Sequence, residues 1–291
     1  MLTVQTPDQW RDYELLDSGG EAKLERWGQF LTIRPDPRAI WTKTMSATEW
    51  NKADGVFEAG EEGGVWKYKN NPPEPWQISY KSMRFDLKPT IFKHVGLFPE
   101  QAVNWEWIQE AIQQKKSSKV LKILNLFAYT GGATLAAATV GAHVTHVDSS
   151  RPAMMWASQN AKLSSVGKDQ VRWIQDDAIK FVKREIRRGI KYDGIIMDPP
   201  RFGRGTKGEV WKLLSDLPEL VNDCKQILDS SPTLFLINAY TADVSSLVLQ
   251  YLLEGVFPNS QKVESGELGL RETASGKVLP AGIFSRWKNS T

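Results

Sequence analysis

Residues 120–150, VLKILNLFAYTGGATLAAATVGAHVTHVDSS, carry the pattern that decides the fold. The apolar run VLKILNLF predicts a buried strand, and GGATLAAATVGA predicts a small-residue helix that begins at the pair Gly131-Gly132. The run HVTHVDSS then predicts a second strand, which ends at Asp148. A strand, a glycine turn, a helix and another strand form a βαβ unit, so we expect the two strands to lie parallel in one sheet.

The same alternation of strands and helices continues to the end of the chain. Further strands are predicted at QVRWIQDD, YDGIIMD and PTLFLINAY, and helices at RPAMMWASQNAKLSSVG, AIKFVKREIRRGI, GEVWKLLSDLPELVNDCKQILDS and ADVSSLVLQYLLEGV. The runs QKVESGELGL and LPAGIFSRW predict a closing hairpin. This order indicates an α/β fold with a Rossmann-like, doubly wound sheet of seven strands, mostly parallel and with an antiparallel terminal hairpin.

The first part of the chain follows a different rhythm. Short alternating runs, GQFLTIRP, RAIWTK, GGVWKYK and WQISYKSMRFDL, are separated by turn sequences and predict a small β-rich domain at residues 1–88. Its tryptophans are expected to pack in a core, with a platform for stacking nucleic-acid bases as the alternative. Residues 89–291 then form the larger domain, and the small one is a candidate for substrate recognition.

Composition limits the class of protein. Hydrophobic residues make up 41% and charged residues 24% of the chain, which is typical of a globular protein, and no apolar run is long enough to cross a membrane. The amino terminus lacks the pattern of a signal peptide, so we expect a cytoplasmic protein. The only cysteine, Cys224, excludes an internal disulfide, and three histidines (His94, His143 and His146) leave little for a metal site, so no metal is expected.

A nucleoside site is predicted at the carboxyl ends of the strands, where doubly wound sheets bind their ligands. The pair Gly131-Gly132 allows close approach of the backbone, and Asp148 is placed to accept hydrogen bonds from both hydroxyls of a ribose. The loop AYTGGA lacks the G-x-G-x-x-G of dinucleotide sites, which favours a nucleoside without phosphates, such as S-adenosylmethionine (SAM), over a nicotinamide cofactor. Asp176-Asp177-Ala178 could receive the adenine amine, although such a pair is more often a helix cap.

The stretch YDGIIMDPPRFGRG, residues 192–205, predicts where the chemistry takes place. Pro199 and Pro200 end the strand and stiffen the turn, so they fix the acceptor groups of Asp198 and of the neighbouring carbonyls. Such acceptors can hold the hydrogens of a planar amine while its lone pair points at a methyl group, and Phe202 offers a stacking face.

Basic residues give a candidate surface for a polyanion. Residues 1–88 carry a net charge of −2 and residues 89–291 a net charge of +5, and Arg201, Arg204 and Lys207 surround the proposed mouth of the site. A second group of basic residues follows the third predicted strand of the larger domain. It could bind phosphates or simply form a solvated helix face, and it consists of Lys180, Lys183, Arg184, Arg187, Arg188 and Lys191.

The motifs NLFAYTGG, HVDSS, WASQN, QDDA and IIMDPPRF resemble the successive motifs of class I SAM-dependent methyltransferases. They are most similar to the bacterial group that modifies large-subunit ribosomal RNA, carries a DPPxF motif and pairs a small β-rich domain with the catalytic sheet. The resemblance covers the chain from about residue 85 to its end. Upstream, FKHVGLFPEQ resembles the Lys-x-x-Gly-x-Phe-x-x-Gln segment of that group.

The resemblance implies a set of site residues. Catalytic roles fall to Asp198, Pro199, Pro200 and Phe202, and substrate binding to Arg201, Arg204, Lys207 and Tyr240. The implied SAM-binding residues are Lys93, Phe98, Gln101, Asn125, Phe127, Ala128, Tyr129, Thr130, Gly131, Gly132, Asp148, Ser149, Asn160, Asp176, Asp177 and Ala178, with Gly96 beside them.

Two departures from the related motifs bear on the acceptor atom. Arg201 separates the prolines from the aromatic residue, so the motif does not by itself establish an exocyclic amine as the methyl acceptor. Cytosine-5 methylation needs a thiolate, but Asn238 and Tyr240 stand where related cytosine enzymes have cysteines, and Cys224 falls in a predicted helix. We therefore expect direct methylation of a base nitrogen of RNA, most of all ribosomal RNA. The alternatives are an oxygen, protein or small-molecule acceptor, an NAD(P)-dependent oxidoreductase, and a non-catalytic RNA-binding protein.

Overall fold

The computed structural model describes residues 3–60, 63–115, 119–205, 208–240, 244–258 and 263–289. The chain forms two compact units. The larger consists of Met1–Gln5, Val103–Leu268 and Ala281–Thr291, and the smaller of Thr6–Ala102 and Gly269–Pro280. The domain division into residues 1–88 and 89–291 stays a prediction.

The secondary structure alternates as the sequence indicates. The strands are β1 (Thr3–Gln5), β2 (Tyr13–Gly19), β3 (Ala22–Trp27), β4 (Phe30–Pro35), β5 (Gly55–Gly60), β6 (Gly63–Tyr68), β7 (Gln77–Tyr80), β8 (Met83–Asp86), β9 (Lys122–Leu126), β10 (His143–Asp148), β11 (Val171–Gln175), β12 (Gly194–Met197), β13 (Phe202–Arg204), β14 (Val210–Lys212), β15 (Leu234–Ala239), β16 (Glu264–Arg271) and β17 (Val278–Lys288). The helices are α1 (Ala47–Trp50), α2 (Ala102–Gln114), α3 (Gly132–Ala138), α4 (Arg151–Leu163), α5 (Ala178–Arg188), α6 (Leu213–Gln226) and α7 (Ser246–Val256).

The larger unit is built on one mostly parallel sheet with the strand order β11-β10-β9-β12-β15-β17-β16-β1. Strand β9 pairs in parallel with both β10 and β12, whereas β17 runs antiparallel to β15. The chain moves outward from β9 to β11 and then returns to the other side of β9, so the strand order reverses between β9 and β12. The predicted doubly wound, Rossmann-like α/β fold is confirmed.

Apolar runs explain why these strands lie in the middle of the sheet. All four residues of β12 and all six of β15 are buried, as expected for parallel strands covered by helices on both faces. One core cluster joins these strands to α5, α6 and α7. The described sheet has eight strands rather than seven, because the short β1 pairs in parallel with β16 at its edge.

One predicted helix begins later than the sequence indicated. The run GEVWKLLSDLPELVNDCKQILDS was predicted to be helical throughout, but Val210–Lys212 form β14, which pairs antiparallel with β13. The helix α6 begins only at Leu213. The loop after the Asp-Pro-Pro turn therefore contains a two-stranded ribbon, which we call the β13–β14 ribbon.

The smaller unit is β-rich, as predicted. It contains a five-stranded sheet in the order β2-β3-β4-β5-β6 and the hairpin β7–β8. Trp27, Trp50 and Trp76 are buried, and the indole N–H groups of Trp10 and Trp66 donate to backbone carbonyls of the same unit, which favours core packing for these tryptophans.

The predicted strand RAIWTK, at residues 38–43, is wrong. This segment forms no ladder, and instead the carbonyls of Ala39 and Trp41 accept hydrogen bonds from the turn between β2 and β3. The Ala39 amide donates to the Asp36 carbonyl over 3.0 Å, so the chain turns between these two residues instead of continuing along β4. In the part of the chain that the structure describes, no helix is long and apolar enough to span a bilayer.

Candidate active site

Four loops meet at one edge of the large sheet, where β9, β10, β11 and β12 reach their carboxyl ends. These strands are parallel neighbours, so the residues that follow them lie together at the carboxyl-terminal end of the sheet. The reversal of strand order between β9 and β12 opens the crevice in which such sheets bind their ligands. Most of the predicted site residues of the larger unit lie in these loops.

The loop after β9 has an unusual backbone. Phe127 and Tyr129 have φ angles of 53° and 48°, and Gly131 has a φ of 90°. Left-handed backbone at a residue other than glycine costs on the order of 1–3 kcal/mol, and it persists where the surroundings impose it. The curled loop is therefore held in place from outside.

Two neighbouring side chains hold this loop. The Tyr129 amide donates to Asp148 Oδ2 over 2.8 Å, and Asn160 Nδ2 donates to the Thr130 carbonyl over 3.0 Å. Asn160 is fully buried, so its hydrogen bond to the Thr130 carbonyl supports the loop from the protein interior. Its predicted contact with the cofactor stays a prediction.

Both glycines of the loop have a packing role. A Cβ on Gly132 would lie 2.7 Å from the indole of Trp105, and one on Gly131 would lie 3.1 Å from the Cβ of Ala157. The positive φ of Gly131 is also unfavourable for other residues. The glycine pair is thus needed to bring α3 against its neighbours, whether or not it also meets a ligand.

A buried polar chain lies beneath the loop. Asn125 Nδ2 donates to Thr134 Oγ1 over 2.9 Å, and the Thr134 hydroxyl lies 2.9 Å from His146 Nδ1. Burial lowers the pKa of His146 to about 3, so the imidazole is neutral and Nδ1 can accept the hydroxyl proton. Asn125 is likewise buried and ties β9 to α3. Neither Thr134 nor His146 was predicted as a site residue, because no local pattern in the sequence signals a contact between them.

Asp148 is oriented by backbone amides. Its Oδ2 accepts from the Tyr129 amide and its Oδ1 from the Ser150 amide, each over 2.8 Å. Burial raises the pKa of this carboxyl, and the two amides oppose that rise. Each carboxylate oxygen can accept a further hydrogen bond, so the geometry suits the pair of hydroxyls on a ribose.

The two acids after β11 have structural partners. Asp177 is the N-cap of α5, since its Oδ1 accepts from the Lys180 amide over 2.9 Å. Asp176 accepts from Arg184 Nη2 over 2.5 Å and from the Asp177 amide over 2.9 Å. The helix-cap alternative is therefore confirmed for Asp177, while the adenine contact stays a prediction.

A small cavity of about 50 Å³ brings many predicted residues together. Its lining combines the ends of β10 and β11 with the β13–β14 ribbon. The lining residues are Phe127, Val147, Asp148, Ser149, Asp176, Asp177, Ala178, Pro200, Gly203, Arg204, Gly205 and Trp211. Apolar faces and carboxylates thus share one space, which has room for only part of a nucleoside.

The β13–β14 ribbon forms one wall of this cavity. Trp211 Nε1 donates to the Pro200 carbonyl over 2.6 Å, and the ring of Trp211 lies 4.9 Å from that of Phe127. Glu209 forms an ion pair with Lys180 of α5. Trp211 escaped sequence analysis because its segment was assigned to the long helix. The Pro200 carbonyl already accepts one hydrogen bond from within the protein.

Asp198 lies directly after β12 and is held by a side chain of the neighbouring strand β15. Asn238 Nδ2 donates to its Oδ1 over 2.8 Å. Burial raises the pKa of Asp198 to about 6, and the Asn238 donor opposes this rise. Among the described residues no donor lies on Oδ2, so this oxygen can accept from a substrate.

The remaining predicted residues are placed as follows. Pro199 is buried, whereas Phe202 is 54% exposed and begins β13. Tyr240 is half-buried just after β15, and Lys207 lies outside the described residues. Of the predicted SAM-binding residues not yet described, Ala128 and Thr130 are buried, and Ser149 donates to the Arg204 carbonyl over 3.4 Å.

The upstream segment belongs to the smaller unit. Lys93 has a φ of 65° and its Nζ donates to the Pro35 carbonyl over 3.1 Å, while Phe98 packs 5.1 Å from the ring of His94. Gln101 ends a 3₁₀ turn at Pro99–Gln101. The cofactor roles of Lys93, Phe98 and Gln101, with Gly96, stay predictions.

Most cations of the basic helix α5 have partners. Lys183 pairs with Glu219 and Arg188 with Glu185, in addition to the pairs of Lys180 and Arg184. Lys191 donates to the Gln226 carbonyl. The ion pairs favour the solvated-face alternative over a dedicated phosphate-binding surface.

Comparisons with known proteins agree with this geometry. A family model described as S-adenosylmethionine-dependent methyltransferase matches residues 61–249. The crystal structure of the SAM-dependent methyltransferase from Agrobacterium tumefaciens is 39% identical with a TM-score of 0.93, and the match covers 98% of this chain and 93% of that one.

Two relatives carry names that refer to ribosomal RNA. Ribosomal RNA large subunit methyltransferase I of Pseudoalteromonas translucida is 28% identical over 69% of this chain and 48% of its own length. Ribosomal RNA large subunit methyltransferase K of Neisseria meningitidis is 29% identical over 60% of this chain and 48% of its own length. The chain thus matches about half the length of either relative.

Proposed function

The chain belongs to the S-adenosylmethionine-dependent methyltransferase family, and from that premise we propose that it methylates a base nitrogen of RNA, most of all ribosomal RNA, by direct transfer. The observation that carries this proposal is the position of Asp198, which lies where the strand order reverses. Asn238 fixes one oxygen of its carboxylate, and the other is open to a substrate. Two relatives named as ribosomal RNA methyltransferases support the choice of substrate. Family membership removes the oxidoreductase alternative.

The residues present suit SAM. Asp148 has acceptor capacity left on both oxygens for the ribose, and Phe127 and Ala178 offer apolar faces for the adenine. The strained loop at Phe127–Gly131 brings the backbone to the same space. When bound, SAM supplies an electrophilic methyl group on a sulfonium.

Asp198 then positions the acceptor. Oδ2 of its ionised carboxylate accepts a hydrogen bond from the amine of the base, while Asn238 Nδ2 donates to Oδ1. Pro199 and Pro200 keep the turn rigid, so orientation is set before the substrate arrives. The exposed ring of Phe202 offers a stacking face for a base taken out of its own stack.

The cysteine lies in the wrong environment for a covalent intermediate. Cys224 is fully buried in α6, and burial raises the pKa of its thiol far above the usual range. A thiolate nucleophile needs the opposite, a partly exposed site with a lowered pKa. Direct transfer to nitrogen is therefore the chemistry that these side chains support.

We expect Cys224→Ala to leave methyl transfer unchanged within about twofold, at a cost on the order of 1–2 kcal/mol of stability from the small cavity. Transfer rates at saturating SAM measure the first effect, and thermal unfolding measures the second. RNA that contains 5-fluorocytosine should form no covalent complex with the parent protein. A folded Cys224→Ala protein without activity would instead assign the thiol to catalysis.

The outer face of the β13–β14 ribbon is suited to a nucleic-acid strand. Phe202 pairs across from Lys212, and Arg204 pairs across from Val210. All four side chains are exposed, whereas Trp211 between them is buried. An aromatic ring and two cations thus lie on one face, beside the turn that carries Asp198.

We expect the double variant Arg204→Ala/Lys212→Ala to weaken RNA binding and to reduce the slope of log K against log salt by about 1.4, or about 0.7 for each lost phosphate contact. Binding titrations across salt concentrations measure this slope. The matched control is Lys183→Ala/Lys191→Ala, with Lys183 on α5 and Lys191 just after it, and this variant should keep the slope of the parent. Equal losses in both variants would contradict a specific role for the ribbon.

The test of the proposed function is a comparison of acceptor pools. The parent protein and labelled SAM are incubated separately with RNA, protein and small molecules from cells that lack this protein. We expect label in the RNA pool alone. Label in protein or small molecules, with none in RNA, would overturn the choice of substrate.

A further inference from the structure

Asp198 is the end of a longer chain of polar side chains in the larger unit. The first link is the hydrogen bond from Asn238 Nδ2, 2.8 Å long, to Asp198 Oδ1. Asn238 lies on β15, which is the parallel neighbour of β12, and it is 2% exposed. An amide buried to this degree must find partners for its own oxygen as well.

The chain continues away from Asp198 with a single direction. Asn104 Nδ2 of α2 donates to Asn238 Oδ1 over 3.4 Å, at the long end of the hydrogen-bond range. Arg286 Nη1 of β17 donates to Asn104 Oδ1 over 3.2 Å. Each amide accepts on its oxygen and donates through its nitrogen, so all three donors point towards Asp198.

Arg286 anchors the far end. Its guanidinium forms a bidentate pair with Glu264, with N···O distances of 3.0 Å each, and Nη2 also donates to Gln5 Oε1 over 2.9 Å. The ring of Phe284 lies 4.5 Å from the guanidinium carbon. Arg286 is 4% exposed, so this group is fixed as well as buried.

We propose that Asn238, Asn104 and Arg286 form a hydrogen-bonded relay that orients the Asp198 carboxylate and keeps it ionised for methyl transfer. The inference rests on the proposed function, in which Asp198 accepts a hydrogen bond from the substrate amine. The three residues are positioning residues: they act through Asp198. Glu264 offsets the charge of Arg286, so the relay acts through aligned amide dipoles and fixed geometry rather than through a bare cation.

The relay has a defined effect on the pH dependence. Burial is the main cause that raises the pKa of Asp198, and Asn238 is the donor that lowers it. The cations that follow on the same loop are Arg201 and Arg204, and Arg286 stands at the far end of the relay. Protonation turns the carboxylate into a donor, so activity falls as the pH drops through the pKa. Breaking the relay should move that acidic limb to higher pH.

The test uses two variants of similar shape and one matched control. Asn238→Leu removes the donor itself, and Asn104→Leu removes the middle link but leaves the bond between Asn238 and Asp198. The control is Gln109→Met, because Gln109 lies on the same helix α2 and donates to Thr139 over 3.2 Å, outside the relay. The first readout is the titration of the Asp198 carboxyl carbon by ¹³C NMR in the free protein, assigned with Asp198→Asn.

We expect the Asp198 midpoint to rise by about one pH unit in Asn238→Leu and by about half a unit in Asn104→Leu, and to stay unchanged in Gln109→Met. The acidic limb of the rate profile should shift by the same amounts. If neither relay variant moves the midpoint, or if the control moves it as far, the relay is overturned. The NMR titration needs no acceptor, so it is independent of whether RNA proves to be the substrate.

Discussion

The Asp198→Ala protein is expected to bind the cofactor as the parent does but to transfer methyl groups at least about 100-fold more slowly. The loss is of the size seen when one preorganised polar group is removed from a reacting centre. The proposed cofactor contacts lie at Asp148 and around the β9 loop, so we expect them to survive the change. Single-turnover rates and calorimetry with S-adenosylhomocysteine (SAH) measure the two effects.

The variant should fold, because the raised pKa of Asp198 means that the native protein binds this proton more tightly than the unfolded chain does. Its contribution to stability is therefore present at low pH and is lost as the pH rises through about 6. At pH 8 the ionised carboxylate is a cost, and its removal relieves that cost. Unchanged affinity for SAH is the control for folding, and transfer at the parent rate would refute the positioning role.

The second large effect is expected at Asp148, where alanine should weaken SAH binding by at least about 100-fold. Two hydrogen bonds from ribose hydroxyls to a carboxylate contribute roughly 1.5–3 kcal/mol each. The change also removes the acceptor for the Tyr129 amide, which supports the strained loop. Calorimetry with SAH measures the loss directly.

The matched control for this prediction is Asp169→Ala. Asp169 is an exposed carboxylate in the 3₁₀ turn at Lys168–Gln170, before β11, so its loss should leave SAH affinity unchanged. An Asp148→Ala protein that binds SAH within about threefold of the parent would remove the ribose role of this carboxylate. Equal losses in both variants would point to a general loss of structure.

The fold of the larger unit could be predicted from the sequence because each of its central strands is marked by a local hydrophobic pattern. Continuous apolar runs marked β9, β12 and β15, and Asp148 and Asp198 marked the ends of β10 and β12. The β13–β14 ribbon was not predicted because a strand of three residues is too short to show a hydrophobic period. Val210–Lys212 were instead assigned to the helix that follows, α6. Strand β1 was missed for the same reason.

The site was only partly predictable, because its supporting contacts join distant parts of the chain. Asn104 and Asn238 are 134 residues apart, and Asn104 and Arg286 are 182 apart. No spacing pattern in the sequence indicates a hydrogen bond between residues so far apart. Motif resemblance likewise cannot separate a residue that lines the cavity, such as Asp148, from one that supports a loop while fully buried, such as Asn160.

The most direct measurement of the central claim is the identity of the methylated atom. Total RNA from a strain that lacks this protein is treated with the purified protein and labelled SAM, digested to nucleosides, and analysed by mass spectrometry against N-methyl and C-methyl standards. We predict label in a single nucleoside that is methylated on a base nitrogen, and none with Asp198→Ala. Label on cytosine C5, or none in RNA while protein is labelled, would contradict the account.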